Sequence, residues 1–399
     1  MLCYIFCNGS RGDCEPGICL ANKLIKNNNN KVIIFGNSYN EYLLKKTDIP
    51  YKIIIKNYIK KQPEKVTIFQ YYCEFKNSII QQIDEINKIQ EIPDIIFGMG
   101  HQLGKFLAEK FNKPYYHIIL QYSQVNQSIR KKNLICYYLE MFNKILMILI
   151  SIYELIYFNK IRNKYKLNYI SDFNDYIYNN DKQIIANSLI LNNYNYIHHD
   201  KIFISGNWNL SENNLDSSID AIDGLYDFLV DSNKIPYIYL NLGSWSQNIN
   251  SELYKLYESA FKRINCKVII NCNIKIKSKN KQFFHCSSIN QHELFPKMKT
   301  VIHCGGLGVA FKAAYYAIPQ IIIPKNMDEP FWAKKIKELG IGDSIDHFNN
   351  LTSDNLFNMV NNVLKNEFIH NNASIVSKSI DINGVENTIN KVFKYQKQY

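Results

Sequence analysis

The chain has 399 residues, 46% of them hydrophobic, and a formal net charge of +12. That length exceeds what one hydrophobic core usually serves and suits two domains of about 150 to 200 residues, while the apolar content excludes a disordered chain. The positive charge is spread along the sequence without a basic and aromatic stripe, which argues against a nucleic-acid partner.

In chain order, residues 2–7 read as a buried strand closed by a glycine turn, Gly9-Ser10-Arg11-Gly12-Asp13, with a helix over 17–26. Strands follow at 31–36 and 51–55, a helix at 77–89, a strand at 94–98, a helix at 104–111 and a strand at 115–120. Two further strands, 183–187 and 202–205, complete this half. Residues 208–234 turn to Ser, Asn and Asp, with one helical patch at 221–229, and read as a linker. A second series opens with strand 236–242 and continues through helix 251–263, strands 267–271 and 283–286, and a helix starting at 291. It closes with strand 301–303, helix 308–317, strand 320–324 and helix 330–339, and a last helix covers 380–398. Strands alternating with helices predict parallel sheets with right-handed crossovers, whose ligands sit at the carboxyl ends of strands. Residues 1–207 are expected as one domain and 235–380 as the other, with 208–234 between them. The helix over 381–399 is a candidate brace for the first domain.

The long apolar segment 145–158, interrupted by Glu154, falls short of the roughly 20 residues that span a bilayer. Two readings stand. It is a buried or acceptor-lining helix, or, with Tyr153, Tyr157, Phe158, Lys160 and Arg162 around it, a helix in peripheral contact with a membrane. The alternating Lys275, Lys277, Lys279 and Lys281 read as a solvated loop. Ten cysteines include no Cys-x-x-Cys pair, no zinc-ligand pattern appears, and the opening residues do not resemble a signal peptide. A cytoplasmic protein without a metal is expected.

Two places carry chemistry. Gly305, Gly306 and Gly308 end a strand and open a helix, so backbone amides can approach an anion there. Asp328 and Glu329 follow another strand end, suited either to accepting hydrogen bonds from hydroxyl groups or to capping the next helix. Gly9–Asp13 and the stretch around His101 occupy strand ends in the first half.

Residues 295–342 resemble the donor-binding motif of the GT-B nucleotide-sugar glycosyltransferases, in the branch of sterol glucosyltransferases and antibiotic glycosyltransferases. The resemblance rests on HCGGLGVA from His303 to Ala310, DEPFWA from Asp328 to Ala333, and Gly340-Ile341-Gly342. GSRGDCEP from Gly9 to Pro16, YLNLGS from Tyr239 to Ser244, and Gly206-Asn207-Trp208 are similar to further motifs of that branch. The resemblance implies an α/β GT-B fold of two facing Rossmann-like domains with a cleft between them. It implies an inverting, metal-independent transfer of a hexose, glucose from UDP first, to a hydroxyl of a lipophilic or aromatic acceptor. No cofactor is implied beyond the nucleotide-sugar co-substrate. Asp13 carries over as the general base, with Arg11, Gly12 and His101 on the acceptor side. Gly243, Ser244, Gln291, His303, Cys304, Gly305, Gly306, Gly308, Asp328 and Glu329 carry over to the donor side.

This sequence departs from the family where the diphosphate is held. Cys304 stands where a His precedes the paired glycines, Val309 and Ala310 replace hydroxyl residues, and Glu329 replaces a Gln. Hydrogen bonds to charged groups are worth about 1.5 to 3 kcal/mol each. His303 has two readings, a contact to the diphosphate or a structural strand-end residue. A second function therefore stands beside the first: a degenerate GT-B protein that binds a nucleotide-sugar or a partner without turnover. The retained Asp13 favours the enzyme, and the RGD turn argues against a third reading, a sugar-nucleotide epimerase.

Overall fold

The computed structural model describes residues 1–7, 9–28, 30–56, 68–99, 102–120, 139–172, 176, 182–188, 190, 202–208, 216–230, 235–241, 251–272, 280–325 and 328–396. His101, Gly243, Ser244, Lys275, Lys277 and Lys279 lie outside them.

Seven strands form the first sheet: β1 (Leu2–Cys7), β2 (Lys31–Asn37), β3 (Tyr51–Ile55), β4 (Ile95–Met99), β5 (Tyr115–Ile119), β6 (Gln183–Ile185) and β7 (Ile202–Ile204). Their order is β3-β2-β1-β4-β5-β6-β7, and every pair is parallel. The second sheet holds β8 (Tyr237–Asn241), β9 (Lys267–Asn271), β10 (Phe283–Cys286), β11 (Thr300–His303), β12 (Gln320–Ile322) and β13 (Gly342–Ser344). Its order is β10-β9-β8-β11-β12-β13, again parallel throughout.

Both sheets are covered on two faces, which is why their central strands are continuous apolar runs. In β8, Ile238 and Leu240 join one core with Val268, Ile270 and Ile302, while Tyr237 and Tyr239 join another with Ile269 and Val301. The two-residue period of a strand sends alternate side chains to opposite faces. In the first sheet, Tyr4, Phe6, Phe35 and Ile96 pack with Phe106 and Phe158.

The chain divides into two compact units, one of residues 1–187, 194–208 and 383–399, the other of 188–193 and 209–382. The last helix, Gly384–Gln396, belongs to the first unit. Asn387 Nδ2 donates to the Ser205 carbonyl at 2.9 Å, and a Cβ on Gly384 would lie 2.4 Å from the Gly206 carbonyl oxygen. That close approach gives the Gly206-Asn207-Trp208 segment a structural role beneath the helix.

Several boundaries differ from expectation. The first helix is Arg11–Asn28, so Arg11, Gly12 and Asp13 are its opening turn and Pro16 lies inside it. Helices Ser353–Lys365 and Glu367–Lys378 have no counterpart in the sequence reading. Their signals were cap residues, the Thr352–Asn355 capping box and Asn366 at the next N-cap, in a segment without catalytic motifs. The apolar segment 145–158 belongs to a longer helix, Leu139–Lys164. Its Phe158 and Ile161 are buried, whereas Ile152, Tyr153 and Ile156 are more than two-fifths exposed. Arg162, named above in the membrane-contact reading, is buried and ion-paired to Glu109 at 2.5 Å. No helix among the described residues is long and apolar enough to cross a membrane.

Candidate functional site

In each sheet the connections run outward in both directions from a central pair, β1/β4 in the first and β8/β11 in the second. Such a switch point opens a crevice at the strand carboxyl ends. Both glycine turns lie there, one leaving β1 and the other leaving β11.

The second turn is held from below. Gly305 has φ +103°, and a Cβ there would sit 3.0 Å from both the Glu329 carbonyl oxygen and Ile322 Cγ2. Only glycine fits that backbone against that neighbour. His303 is buried, its Nδ1 accepts from the Gly305 N–H at 3.1 Å, and its Nε2 lies 2.9 Å from Gln320 Oε1. Gln320 Nε2 in turn donates to the Ala310 carbonyl at 2.9 Å. Burial pulls the His303 pKa down to about 4, so a neutral imidazole with both nitrogens engaged fixes the turn. Its structural reading is the one this geometry supports.

The two motifs of the second unit meet at this turn. Glu329 is buried, accepts the Lys325 N–H at 2.8 Å, and shares a hydrogen bond with the partly exposed Cys304. Burial first, and then the Glu329 charge, push the Cys304 thiol up to about 12, so it stays protonated. Asp328 occupies the N-cap position of helix Glu329–Glu338 but makes no side-chain cap; its Oδ2 accepts from Trp332 Nε1 at 3.0 Å. Desolvation raises its pKa.

Above the turn the surroundings are open. Gly306 is the N-cap of helix Leu307–Tyr315, with φ −62° and ψ 131°, a conformation any residue adopts. Nothing lies within 4 Å of where its Cβ would be, and it caps no N–H with a side chain. The first N–H groups of a helix have no intrahelical partner, so those of Leu307 and Gly308 are left without one at the positive end of this helix.

Beside the turn lies a polar cluster of which only Gln291 was expected at the site from the sequence. Tyr239 is fully buried, and its hydroxyl lies 2.7 Å from Asn271 Nδ2 and 3.4 Å from both Asn241 Nδ2 and Gln291 Nε2. Gln291, a predicted site residue, also accepts from Lys312 Nζ at 3.3 Å.

The first turn is built differently. Asp13, the third helical residue, accepts at Oδ2 from the Ser10 N–H at 2.7 Å and the Ser10 hydroxyl at 3.0 Å, half of a capping box. Gly9 has φ +145°, and the Asp13 carboxylate lies where its Cβ would be, 2.3 Å from Oδ2. Arg11 pairs with Glu15 at 2.5 Å and so stabilises the helix face. Gly12 leaves ordinary room, its nearest contact being Ser10 Oγ at 3.6 Å. Two fully buried asparagines clamp the turn: Asn37 Nδ2 and Asn40 Nδ2 donate to the Gly9 carbonyl at 3.0 and 2.7 Å. In a chain rich in Asn, nothing in the sequence singled these two out. Among the described residues, no group of three His, Cys, Asp or Glu is arranged to hold a metal ion.

Residues 282–382 match the family model "Erythromycin biosynthesis protein CIII-like, C-terminal domain". Glycosyltransferase GtfE of Amycolatopsis orientalis is 30% identical over 110 residues, 27% of this chain and 26% of that protein. The sterol 3-beta-glucosyltransferase UGT80A2 of Arabidopsis thaliana is 26% identical over 166 residues, 40% of this chain and 25% of that protein. The match thus spans about a quarter of the length of these curated relatives. In three dimensions the whole chain superposes on the glycosyltransferase VinC, solved in complex with DTDP, with a TM-score of 0.68, 15% identity and 100% coverage of both chains. Residues 282–382 are therefore similar to the EryCIII-like C-terminal domain, in a chain whose two parallel-sheet units have the GT-B fold.

Proposed function

We propose that the chain is an inverting glycosyltransferase that moves a hexose from a nucleoside-diphosphate sugar, UDP-glucose first, to a hydroxyl of a lipophilic or aromatic acceptor. The observation that carries this reading is the uncapped helix start at Gly306, at a switch point, with open space at the Gly306 Cβ position. The names of the relatives, a sterol glucosyltransferase among them, and the DTDP bound to VinC support the donor and acceptor classes. The exposed Ile152, Tyr153 and Ile156 support an apolar acceptor, including a lipid met at a membrane surface.

In this reading the acceptor hydroxyl gives its proton to Asp13 as its oxygen attacks the anomeric carbon. The bond from that carbon to the diphosphate oxygen breaks, and the nucleoside diphosphate leaves with the bonding pair. Amides at the helix start stabilise the charge that develops there, and a base held in position takes the proton. His303, carried over as a donor residue, acts through the turn it holds. A second reading, binding without turnover, draws on Val309, Ala310 and the Glu329 carboxylate, which offer a phosphate no hydrogen-bond donor. Nucleotide release from UDP-glucose and from dTDP-glucose, measured against a panel of sterols and phenols, separates the two. Acceptor-dependent release supports transfer; saturable nucleotide binding with no release from any acceptor supports the second reading.

A further inference from the structure

We propose that Lys312 is the cation that holds the diphosphate of the donor, an inference that rests on the donor site proposed above. Lys312 lies within helix Leu307–Tyr315, yet only 8% of it is exposed. Its ammonium donates to Gln291 Oε1 at 3.3 Å, and among the described residues no carboxylate pairs with it. The groups hydrogen-bonded beyond Gln291 are the Tyr239 hydroxyl and the amides of Asn241 and Asn271, all neutral. The Asp216 carboxylate also bears on Tyr239 through its charge, while accepting from the Ser288 hydroxyl at 2.8 Å. An ammonium has three donors and no acceptor, and a buried charge without a counter-charge is costly. Among the described residues, the ammonium of this cluster is therefore hydrogen-bonded to no counter-charge.

Its position fits an anion at the glycine turn. Asn241 is the register partner of His303, the residue from which the turn departs. Lys312 stands one helical turn beyond Gly308, and helical side chains lean toward the N-terminus, which brings the ammonium toward the uncapped N–H groups. Val309 and Ala310 supply no hydroxyl at that turn. The only anionic part of a nucleoside-diphosphate hexose is its diphosphate, so Lys312 replaces from beneath the donors that the turn lacks.

The test compares the wild type, Lys312→Met and Lys312→Arg for binding of UDP, dTDP, uridine and thymidine, with circular dichroism confirming the fold of each. The affinity gained on going from nucleoside to nucleoside diphosphate is expected to fall about ten- to a hundredfold in Lys312→Met, the worth of one charge-assisted hydrogen bond. Lys312→Arg should keep most of that gain, which also covers a Met variant that folds poorly. Equal gains in wild type and Lys312→Met, or equal losses for nucleoside and diphosphate, overturn the assignment while leaving the donor site standing. No nucleotide binding by the wild type removes the donor site itself, and the role of Lys312 with it.

Discussion

The two glycine turns share a position in their sheets and differ in what occupies the helix start. The first is filled by the protein's own anion, since the Asp13 carboxylate accepts from the Ser10 N–H and hydroxyl while Asn37 and Asn40 fasten the turn behind it. The second has no side-chain cap, and its fastening comes from below, through neutral His303, with the Glu329 backbone packed against Gly305. A helix N-terminus that already holds a carboxylate is a poor place for a phosphate, whereas one left uncapped favours an anion from outside. Under the proposed function, this difference suits the first turn to a positioned base and the second to the departing diphosphate.

The sharpest way to break this division is Asp13→Asn. Asparagine keeps an oxygen to accept from the Ser10 N–H, so the cap and fold should survive while transfer falls about a hundred- to ten-thousandfold. Unchanged turnover, with nucleotide affinity also unchanged, removes Asp13 from the chemistry.

The neutral support beneath the second turn predicts an acid sensitivity. His303 titrates near 4 in the folded protein against 6.5 as its unperturbed value, so between these limits the unfolded chain binds the extra proton. Stability contributed by the neutral imidazole is complete above pH 6.5 and is lost as pH falls toward 4, by up to about 3 kcal/mol. Denaturant unfolding of wild type and His303→Gln across this range should show a shallower pH slope in the variant; equal slopes mean that His303 carries no such burden.

The paired glycines sharpen the comparison further, because they should fail in opposite ways. Gly305→Ala forces a left-handed backbone and a contact with the Glu329 carbonyl, at a cost of about 1 to 3 kcal/mol, visible as a lower melting temperature. Gly306→Ala meets nothing within 4 Å and should melt as the wild type does, yet its methyl group enters the ligand's space. Nucleoside-diphosphate affinity should then fall roughly tenfold, the lower end for one lost charge-assisted hydrogen bond. Gly306→Ala with full affinity contradicts a ligand at that position.

Much of this was legible in the sequence, because alternating buried strands, glycine turns and the DEPFWA run are local patterns. The strands of both sheets follow from it except the edge strand β13, and those that carry the turns are among them. The start of the first helix was misplaced because Gly12 and Pro16 disfavour a helix, and their effect was outweighed by the cap that Ser10 and Asp13 make together. The residues that distinguish the two turns were harder to find. Asn37, Asn40, Gln320 and Lys312 reach their partners across distances of 10 to 31 residues, and no spacing rule connects them. Lys312 lies within a helix of high apolar content, where a lysine reads as a solvated face until its burial is known.

The most direct measurement is a calorimetric titration of the wild-type protein with UDP, dTDP and GDP. Saturable binding of at least one of them, abolished or weakened by Gly306→Ala, is the predicted result. No saturable heat from any of the three contradicts the central claim, because the uncapped turn would then have no nucleotide to receive.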